Sequence, residues 1–385
     1  MKNILSLIVI AFTAYSCTTP PTKTYNYDLD FIKKNTEVIE LSSEDGQSRV
    51  MITPHYQGRV ISSSNNGLKG TSNGWVNYNA FDNDSLNTGQ NIGGEDRLWI
   101  GPLGGQYSFY YQQIKPIDED NWKVPDTFNA EPYEVINQSK SLVSMYKEMQ
   151  LRNFIGTEFN IRVNKTISLL KKLEIETNLG IKLNSSIKAV AFNSKHSLIN
   201  KDTIQWTKQS GLPCIWSLAM LPGSDNTNVY IPLKKDVKLN EVGIYLSDIN
   251  EDRILINNGI LKYKADGKYR NKLGFNPDVL MGNTFASLSP ENKTLTIVQY
   301  QRTDDTLYFN SEVSIQDNPY LGEPIQVYNH GPMDFSEPNE NAFYELESTS
   351  AMKELMPNDS ITHFQRVFHL SGELAQLENI LKQIQ

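Results

Sequence analysis

Alternating apolar and polar residues run through most of the chain and predict a long series of β-strands. Polar turns separate the first three alternating segments, 36–43, 48–54 and 58–64, and these segments therefore predict a β-meander. The same pattern predicts further strands at 141–151, 159–170, 187–198, 294–301, 306–315, 325–331, 342–349 and 362–370.

The C-terminus carries the one helix that the pattern predicts. Ser371 is a suitable N-cap, and apolar residues recur after it at helical spacing, namely Leu374, Leu377, Leu381 and Ile384. Many long strands with few helices predict an all-β fold, and strands in such number usually divide into two packed sheets. No linker, low-complexity tract or repeat divides the chain, so we expect one large β-sandwich domain over 31–385.

The first residues have the pattern of a secretory signal peptide. Lys2 precedes an apolar run that is too short to span a bilayer, and the sequence AYSC ends this segment. The arrangement resembles a bacterial lipoprotein signal, which predicts a signal peptide at 1–16, a lipidated Cys17 and a flexible tether over 17–30. An ordinary signal peptide that ends near a cysteine is the alternative. Because no acidic residue directly follows Cys17, we expect an outer-membrane anchor that faces the periplasm.

Charge and cysteine content exclude several classes of partner. The 385 residues carry a formal net charge of −8 without a basic block, which argues against nucleic acid. If Cys17 is lipidated, Cys214 has no disulfide partner, and its apolar surroundings predict an inert buried thiol. The five histidines lack metal-ligand spacing, and no dinucleotide or phosphate motif occurs. We expect neither a metal nor a cofactor, and we expect a monomer.

Candidate chemistry is concentrated between two glycine doublets in the sequence GGEDRLWIGPLGG. The residues of interest are Glu95, Asp96, Arg97 and Trp99. Glycines let a backbone approach a ligand closely, an arginine and carboxylates can bind hydroxyls, and an indole can stack on a sugar ring. The alternative is a buried arginine–carboxylate pair that fixes a loop beside a packed tryptophan.

A second candidate cluster lies late in the chain. Glu345 and Glu347 are two residues apart on a predicted strand and therefore share one face, where a carboxylate could act as general base. A solvated face at a sheet edge would explain the same pattern. His330, in the sequence VYNHGP, is either a donor to a ligand or a cap of a turn.

A third cluster is the positively charged sequence GKYRNKLG, in which Lys268, Arg270 and Lys272 alternate. Such a run is usually a solvated strand face. If it lines the site, a carboxylated or sulfated sugar becomes a candidate ligand.

These motifs, together with GLPCIWSLAM and the late stretch FYELESTSAMKELMPNDSITHFQRVFHLSG, resemble an uncharacterised family of bacterial lipoproteins. That family is related to galactose mutarotase-like, or aldose 1-epimerase-like, proteins. The resemblance covers nearly the whole chain after the signal peptide. It implies a single β-supersandwich with a sugar site in a groove on the concave face of a sheet.

The resemblance also implies roles for particular residues. Mutarotases use a late-strand glutamate as base and a histidine as acid, and an arginine binds the sugar. Glu347 matches the base, with Glu345 as the second choice, and Arg97 resembles the sugar-binding arginine. His196 is the one histidine in a central strand, but it lies in no matching motif, so the acid is not assigned.

Two functions therefore stay open at this point. The first is a carbohydrate-active envelope lipoprotein that has an epimerase-like activity with Glu347 as base. The second is a non-catalytic lipoprotein that holds a glycan in the same groove. An envelope assembly protein with a vestigial groove is a third alternative, for which a large exposed apolar patch is expected elsewhere.

Overall fold

The computed structural model describes residues 24–81, 91–111, 115–129, 131–332 and 342–385. The predicted signal peptide, Cys17 and the tether up to residue 23 lie outside the described residues. The strands are β1 (Ile39–Ser42), β2 (Arg49–Thr53), β3 (Arg59–Ser64), β4 (Arg97–Gly101), β5 (Glu134–Gln138), β6 (Leu142–Arg152), β7 (Glu158–Leu169), β8 (Lys188–Asn200), β9 (Cys214–Pro222), β10 (Asn228–Pro232), β11 (Gly243–Tyr245), β12 (Ile254–Asn257), β13 (Ile260–Lys264), β14 (Asn271–Phe275), β15 (Thr284–Ser289), β16 (Thr294–Tyr300), β17 (Ile325–Asn329), β18 (Phe343–Thr349) and β19 (Ser360–Ser371). The α-helices are α1 (Tyr25–Asn35), α2 (Asp126–Asn129), α3 (Lys172–Leu179) and α4 (Leu374–Ile384).

The strands form three antiparallel sheets. The first is the predicted meander β1-β2-β3, and an isolated bridge between Val60 and Asp96 joins it to the start of β4. A ten-stranded sheet has the order β12-β13-β10-β15-β16-β19-β8-β7-β6-β5. A six-stranded sheet has the order β11-β14-β17-β18-β9-β4. The two large sheets pack face to face, which confirms the predicted all-β sandwich.

Contacts between the large sheets fix which residues face inwards. The Ser348 hydroxyl of β18 donates to Gln365 Oε1 of β19 at 2.8 Å, and Tyr344 of the same strand meets Ser287 of β15 at 2.7 Å. Leu346 lies between these two positions and is fully buried. Because side chains alternate along a strand, Glu345 and Glu347 face away from the ten-stranded sheet.

Helices cover apolar surface that the sheets leave open. Leu377 and Leu381 of α4, with Ile175 of α3, pack on the outer face of the ten-stranded sheet, where Phe368 and Leu370 are buried. No helix in the described ranges has the length and apolar character needed to cross a bilayer.

The N-terminal helix was not predicted. Tyr25, Leu29 and Ile32 of α1 are buried against the meander, so the folded domain includes residues that the sequence analysis assigned to the tether. Thr24 caps this helix by accepting a hydrogen bond from the Tyr27 backbone N–H. The predicted end of the tether at residue 30 is therefore six residues too late. The apolar residues of α1 pack against the meander, so the folded domain begins with this helix.

Two local predictions were wrong. Residues 306–315 form no strand; Tyr308 makes only an isolated bridge to Leu321, and the chain then crosses the outer face of the six-stranded sheet. The N-cap of α4 is Glu373 and not Ser371, because Ser371 is still paired within β19. Cys214 is a buried free thiol, as predicted, and burial raises its pKa.

Candidate functional site

The outer face of the six-stranded sheet carries two rows of side chains that together belong to five strands. In the first row Arg97 of β4 pairs with Leu218 of β9, and Leu218 pairs with Glu347 of β18. Neighbouring strands lie about 4.8 Å apart, so the Cα atoms of Arg97 and Glu347 are separated by about 10 Å. In the next row, Glu345 pairs with Tyr328, and Tyr328 pairs with Lys272.

These rows form the floor of a cavity of about 270 Å³. Segments that follow β4 and β16 supply the walls, including Trp122 and Ser311. The lining residues are Asn91, Arg97, Trp99, Leu103, Trp122, Trp216, Leu218, Tyr245, Leu246, Lys272, Ser311, Val313, Tyr328, His330, Phe343, Glu345 and Glu347. Six of the eight catalytic and substrate-binding residues proposed from the sequence thus come together: Arg97, Trp99, Lys272, His330, Glu345 and Glu347.

Glu347 is completely buried, and two groups hold one of its oxygens. Lys272 Nζ lies 2.9 Å from Oε2, and Trp216 Nε1 donates to the same oxygen at 2.8 Å. The Lys272 ammonium also lies 4.6 Å from the centre of the Trp216 ring. The other oxygen, Oε1, has no N–H donor among the described residues, and the protonated Glu345 carboxyl is the one described group that hydrogen-bonds to the Glu347 carboxyl besides Lys272 and Trp216. Such an oxygen on a cavity-lining side chain is a suitable acceptor for a ligand hydroxyl.

Glu345 differs from Glu347 in its protonation. Burial, and then the negative charge of Glu347, raise the pKa of Glu345 to about 8, although Arg97 and Lys272 act in the opposite direction. Glu345 is therefore protonated at neutral pH and can donate a hydrogen bond or a proton. The cavity thus holds this carboxylic acid beside Glu347, which pairs with Lys272, on the same strand face.

Arg97 is buried without a carboxylate partner in the described parts of the chain. Its Nη1 donates to Asn91 Oδ1 at 2.6 Å, and its guanidinium carbon lies 4.0 Å from the centre of the Trp99 ring. Its Nε is buried and donates to no described residue. The guanidinium is thus held in one orientation while its charge is not neutralised by a salt bridge.

His330 lies at the end of β17 and stacks on an aromatic neighbour. Its ring is 4.3 Å from that of Phe343, and its Nδ1 is 3.0 Å from the Tyr328 hydroxyl. Burial, assisted by the charge of Arg270, lowers the pKa of His330 to about 4. The imidazole is therefore neutral at physiological pH.

A third buried carboxylate supports the wall of the cavity from behind. Glu323 accepts hydrogen bonds from the Tyr245 hydroxyl and from the Ser311 hydroxyl, the latter at 2.9 Å. Burial raises the pKa of Glu323. Tyr245 and Ser311 both line the cavity, so Glu323 fixes the orientation of two polar groups that a ligand would meet.

Glu95 and Asp96, which were expected at the ligand, lie outside the cavity. Glu95 precedes β4, and His369 Nε2 lies 2.9 Å from its Oε2. Asp96 Oδ2 lies 2.6 Å from Lys165 Nζ and accepts a hydrogen bond from Ser194 at 2.8 Å. Burial alone would raise the pKa of Asp96, but Lys165 and then His196 hold it well below its usual range. Both carboxylates are paired in the interior, and neither lines the cavity.

The first glycine doublet serves packing and not ligand approach. Gly93 has a φ of 91°, and a Cβ there would lie 2.0 Å from the Trp75 carbonyl oxygen. Gly94 has a φ of 117°, and its Cβ would meet the Arg59 side chain and the Val60 carbonyl oxygen at 2.7 Å. Only glycine fits such positions, which let the chain pass close to Trp75 and enter β4 as a regular strand. Arg97 and Trp99 are consequently strand residues and not loop residues.

The positively charged cluster divides in the structure. Lys272 enters the cavity, whereas Lys268 pairs with the exposed Asp225 at 2.9 Å and Arg270 Nε donates to the Gly331 carbonyl.

Several cavity residues were not identified from the sequence, namely Asn91, Trp122, Trp216, Tyr245, Ser311 and Tyr328. Trp216 had a usable signal, since it lies in the quoted CIWSLAM motif. Its position directly opposite Trp99 depends on the pairing of β4 with β9, which no local pattern reveals.

The two-sheet sandwich of this chain is similar in fold to solved structures of other bacterial proteins. Among solved structures, a candidate aldose 1-epimerase from Escherichia coli K12 has a TM-score of 0.52 at 11% identity, covering 86% of this chain and 98% of that chain. The Slr1438 protein from Synechocystis sp. PCC 6803 has a TM-score of 0.51 at 11% identity, covering 88% and 96%. At such identities the likeness shows a shared fold.

The chain belongs to a family of unknown function, DUF6786, whose model matches residues 23–385. No curated protein sequence matches the chain.

Proposed function

We propose that the cavity binds a sugar ring and that Glu347 is the general base of an aldose 1-epimerase-like reaction. One observation carries the proposal. Two cavity-lining side chains have a buried donor without an acceptor in the described ranges, namely Arg97 Nε and Trp99 Nε1, and Glu347 Oε1 receives no N–H donor there. Buried polar atoms are normally hydrogen-bonded, so a ligand rich in hydroxyl groups would supply their missing hydrogen-bond partners.

The rest of the lining is consistent with a small polyhydroxy ligand. Trp99, Trp122 and Trp216 offer indole surface for the C–H face of a sugar, while Asn91 and Tyr245 offer polar groups. A volume of about 270 Å³ is near the lower end for ligand pockets, which favours a single ring.

The two glutamates can divide the proton transfers. Glu347 would take the proton of the anomeric hydroxyl while Glu345 gives its proton to the ring oxygen. The bond from C1 to the ring oxygen then breaks and a carbonyl forms at C1. Rotation about C1–C2 followed by the reverse transfers gives the other anomer and restores both groups. Two carboxyl groups with different protonation are the arrangement that general acid–base catalysis needs.

A non-catalytic glycan-binding function is the second candidate, and one observation favours it. The resemblance to mutarotases implies a histidine acid, but His330 is the one described histidine in the cavity and its imidazole is neutral. His196 is buried beside Asp96, away from the cavity. If Glu345 cannot replace the missing acid, the cavity would bind a sugar without converting it.

Anomer exchange by NMR and binding by calorimetry decide between the two functions. We expect the protein to accelerate interconversion of a freshly dissolved aldose and Glu347→Gln to reduce kcat by about 100-fold or more. Glu148→Gln, an exposed substitution of the same type on β6, is the control and should retain full activity. Binding without turnover would favour the glycan-binding function, and the absence of binding to any sugar would contradict both.

We also propose that the domain is anchored to the outer membrane through a lipid on Cys17, facing the periplasm. Metabolic labelling with an alkyne fatty acid should mark the wild-type protein and leave Cys17→Ser unlabelled. Labelling of the variant would contradict the proposed anchor.

A further inference from the structure

The charges around the cavity do not balance. Among the described residues two cations line it, Arg97 and Lys272, and the Lys272 ammonium already forms a salt bridge with Glu347. Glu345 is mainly neutral at pH 7, and His330 is neutral as well. Arg97 is thus the one cavity-lining cation in the described ranges whose charge no salt bridge offsets.

A buried guanidinium without a carboxylate is costly, and proteins usually pair or hydrogen-bond such a charge. Arg97 is 5% exposed, yet Asn91 Oδ1 and the Met220 sulfur are its hydrogen-bond acceptors in the described ranges. Both are neutral groups. The Trp99 ring and Asn91 also hold the guanidinium in place, so the orientation is set before any ligand arrives.

From this arrangement we infer that the sugar carries a carboxylate, as a uronic acid does, and that Arg97 binds that carboxylate. The inference rests on the proposed sugar site and specifies its substrate class. The planar fork of arginine matches the two oxygens of a carboxylate. A phosphorylated sugar fits less well, because a phosphate carries a charge of about −1.5 to −2 at pH 7 and one unpaired cation would not neutralise it.

The position of Arg97 relative to the glutamates is consistent with this assignment. Leu218 lies between Arg97 and Glu347 in the cross-strand row and lines the cavity floor. A ring that rests over Leu218 would reach Arg97 on one side and Glu347 on the other, across about 10 Å of sheet. Its carboxylate would then be held away from the Glu347 carboxylate, so the two negative charges would not repel each other at close range.

The test compares the binding of sugars that differ in charge to the wild-type protein, and each uronate is matched by a neutral amide of nearly the same shape. Calorimetry would measure the dissociation constants of glucuronate and galacturonate, of their neutral amides, and of glucose 6-phosphate. We expect at least one uronate to bind about 10- to 100-fold more tightly than its own amide, the range for a hydrogen bond to a charged group. We also expect that uronate to bind more tightly than glucose 6-phosphate.

Variants then assign the effect to one residue. Arg97→Gln should reduce the preference for uronate over amide to about twofold or less, and Arg97→Lys should restore part of it. Arg162→Gln, a change of the same type at a partly buried position of β7 outside the cavity, should keep the wild-type preference. If Arg97→Gln does not fold, the comparison of uronate with amide on the wild-type protein still shows whether the site prefers a carboxylate.

Failure of this inference is distinguishable from failure of the proposed function. Equal binding of a uronate and its amide would overturn the carboxylate assignment and leave a neutral-sugar site intact. Tighter binding of glucose 6-phosphate than of either uronate would overturn it in favour of a phosphorylated sugar. The absence of binding to any of these sugars, charged or neutral, would overturn both.

Discussion

Lys272 Nζ lies 2.9 Å from Glu347 Oε2, and both side chains are almost completely buried. A buried ion pair contributes little net stability, but removal of one partner leaves an uncompensated charge. We therefore predict that Lys272→Met lowers the free energy of unfolding by about 3 kcal/mol, measured by urea denaturation. The double variant Lys272→Met/Glu347→Gln should recover part of this loss, because neither charge remains.

An exposed lysine provides the control for this prediction. Lys293 pairs with Glu373 at 3.2 Å, and both side chains are more than half exposed. Lys293→Met should change the free energy of unfolding by less than about 1 kcal/mol. A loss as large as that of Lys272→Met would mean that the effect does not come from burial.

Glu345 makes the stability of the domain depend on pH in a defined direction. Its pKa is about 8 in the folded state, chiefly because of burial and the charge of Glu347, against about 4.3 for an unfolded glutamate. Between these values the folded state holds a proton that the unfolded state has lost. The contribution of Glu345 to the free energy of unfolding is therefore fully present below about pH 4. It is lost as the pH rises towards about 8, at up to about 1.4 kcal/mol per pH unit.

Glu345→Gln removes this titration while it keeps the shape of the side chain. The variant should lose less stability than the wild type between about pH 5.5 and about pH 7.5. Arg97 and Lys272 lower the pKa of Glu345, and the value of about 8 already includes their effect. Parallel stability curves for the two proteins would show that Glu345 is ionised in the folded state.

Asp96 and Arg97 are neighbours in sequence, yet their substitutions should have opposite consequences. Asp96→Asn leaves the Lys165 ammonium buried without its counter-charge and should lower the free energy of unfolding by about 3 kcal/mol. Asp96 does not line the cavity, so sugar affinity per folded molecule should not change. Arg97→Gln should weaken ligand binding with little loss of stability, because no described salt bridge is broken. Calorimetry and urea denaturation of both variants test this contrast.

The sequence was sufficient for the fold class because strand alternation is a local signal. The meander, the long strands β6 to β8 and the helix α4 were all predicted close to their observed positions. The helix α1 was missed, since its apolar residues are few and a Pro/Thr-rich stretch precedes it. Residues 306–315 were misread as a strand because Tyr308 and Phe309 are buried by the tertiary fold and not by a sheet.

The candidate site was predictable only in part, for a related reason. A spacing of two residues predicts that Glu345 and Glu347 share a face, and the structure confirms it. It does not show which face points inwards or which strands are neighbours. Glu95 and Asp96 were misplaced for this reason, because their partners His369 and Lys165 come from strands far away in the sequence.

Trp122 offers a direct optical test of ligand binding. It is 38% exposed, far more than the other cavity-lining indoles, and its ring stacks in parallel with Tyr110 at 5.9 Å. We expect a bound sugar to stack on it, so Trp122→Ala should weaken binding about fivefold, equivalent to about 1 kcal/mol.

Tryptophan emission should report the same contact. A bound sugar should change the emission of the wild-type protein, and Trp122→Phe should show a smaller change. Trp206→Phe is the control, because Trp206 lies in the core beside Phe159 and its Nε1 donates to Asp202 at 2.7 Å, away from the cavity. That variant should keep the full signal. An equal response of both variants to the sugar would place the ligand away from Trp122 and contradict the stacked arrangement.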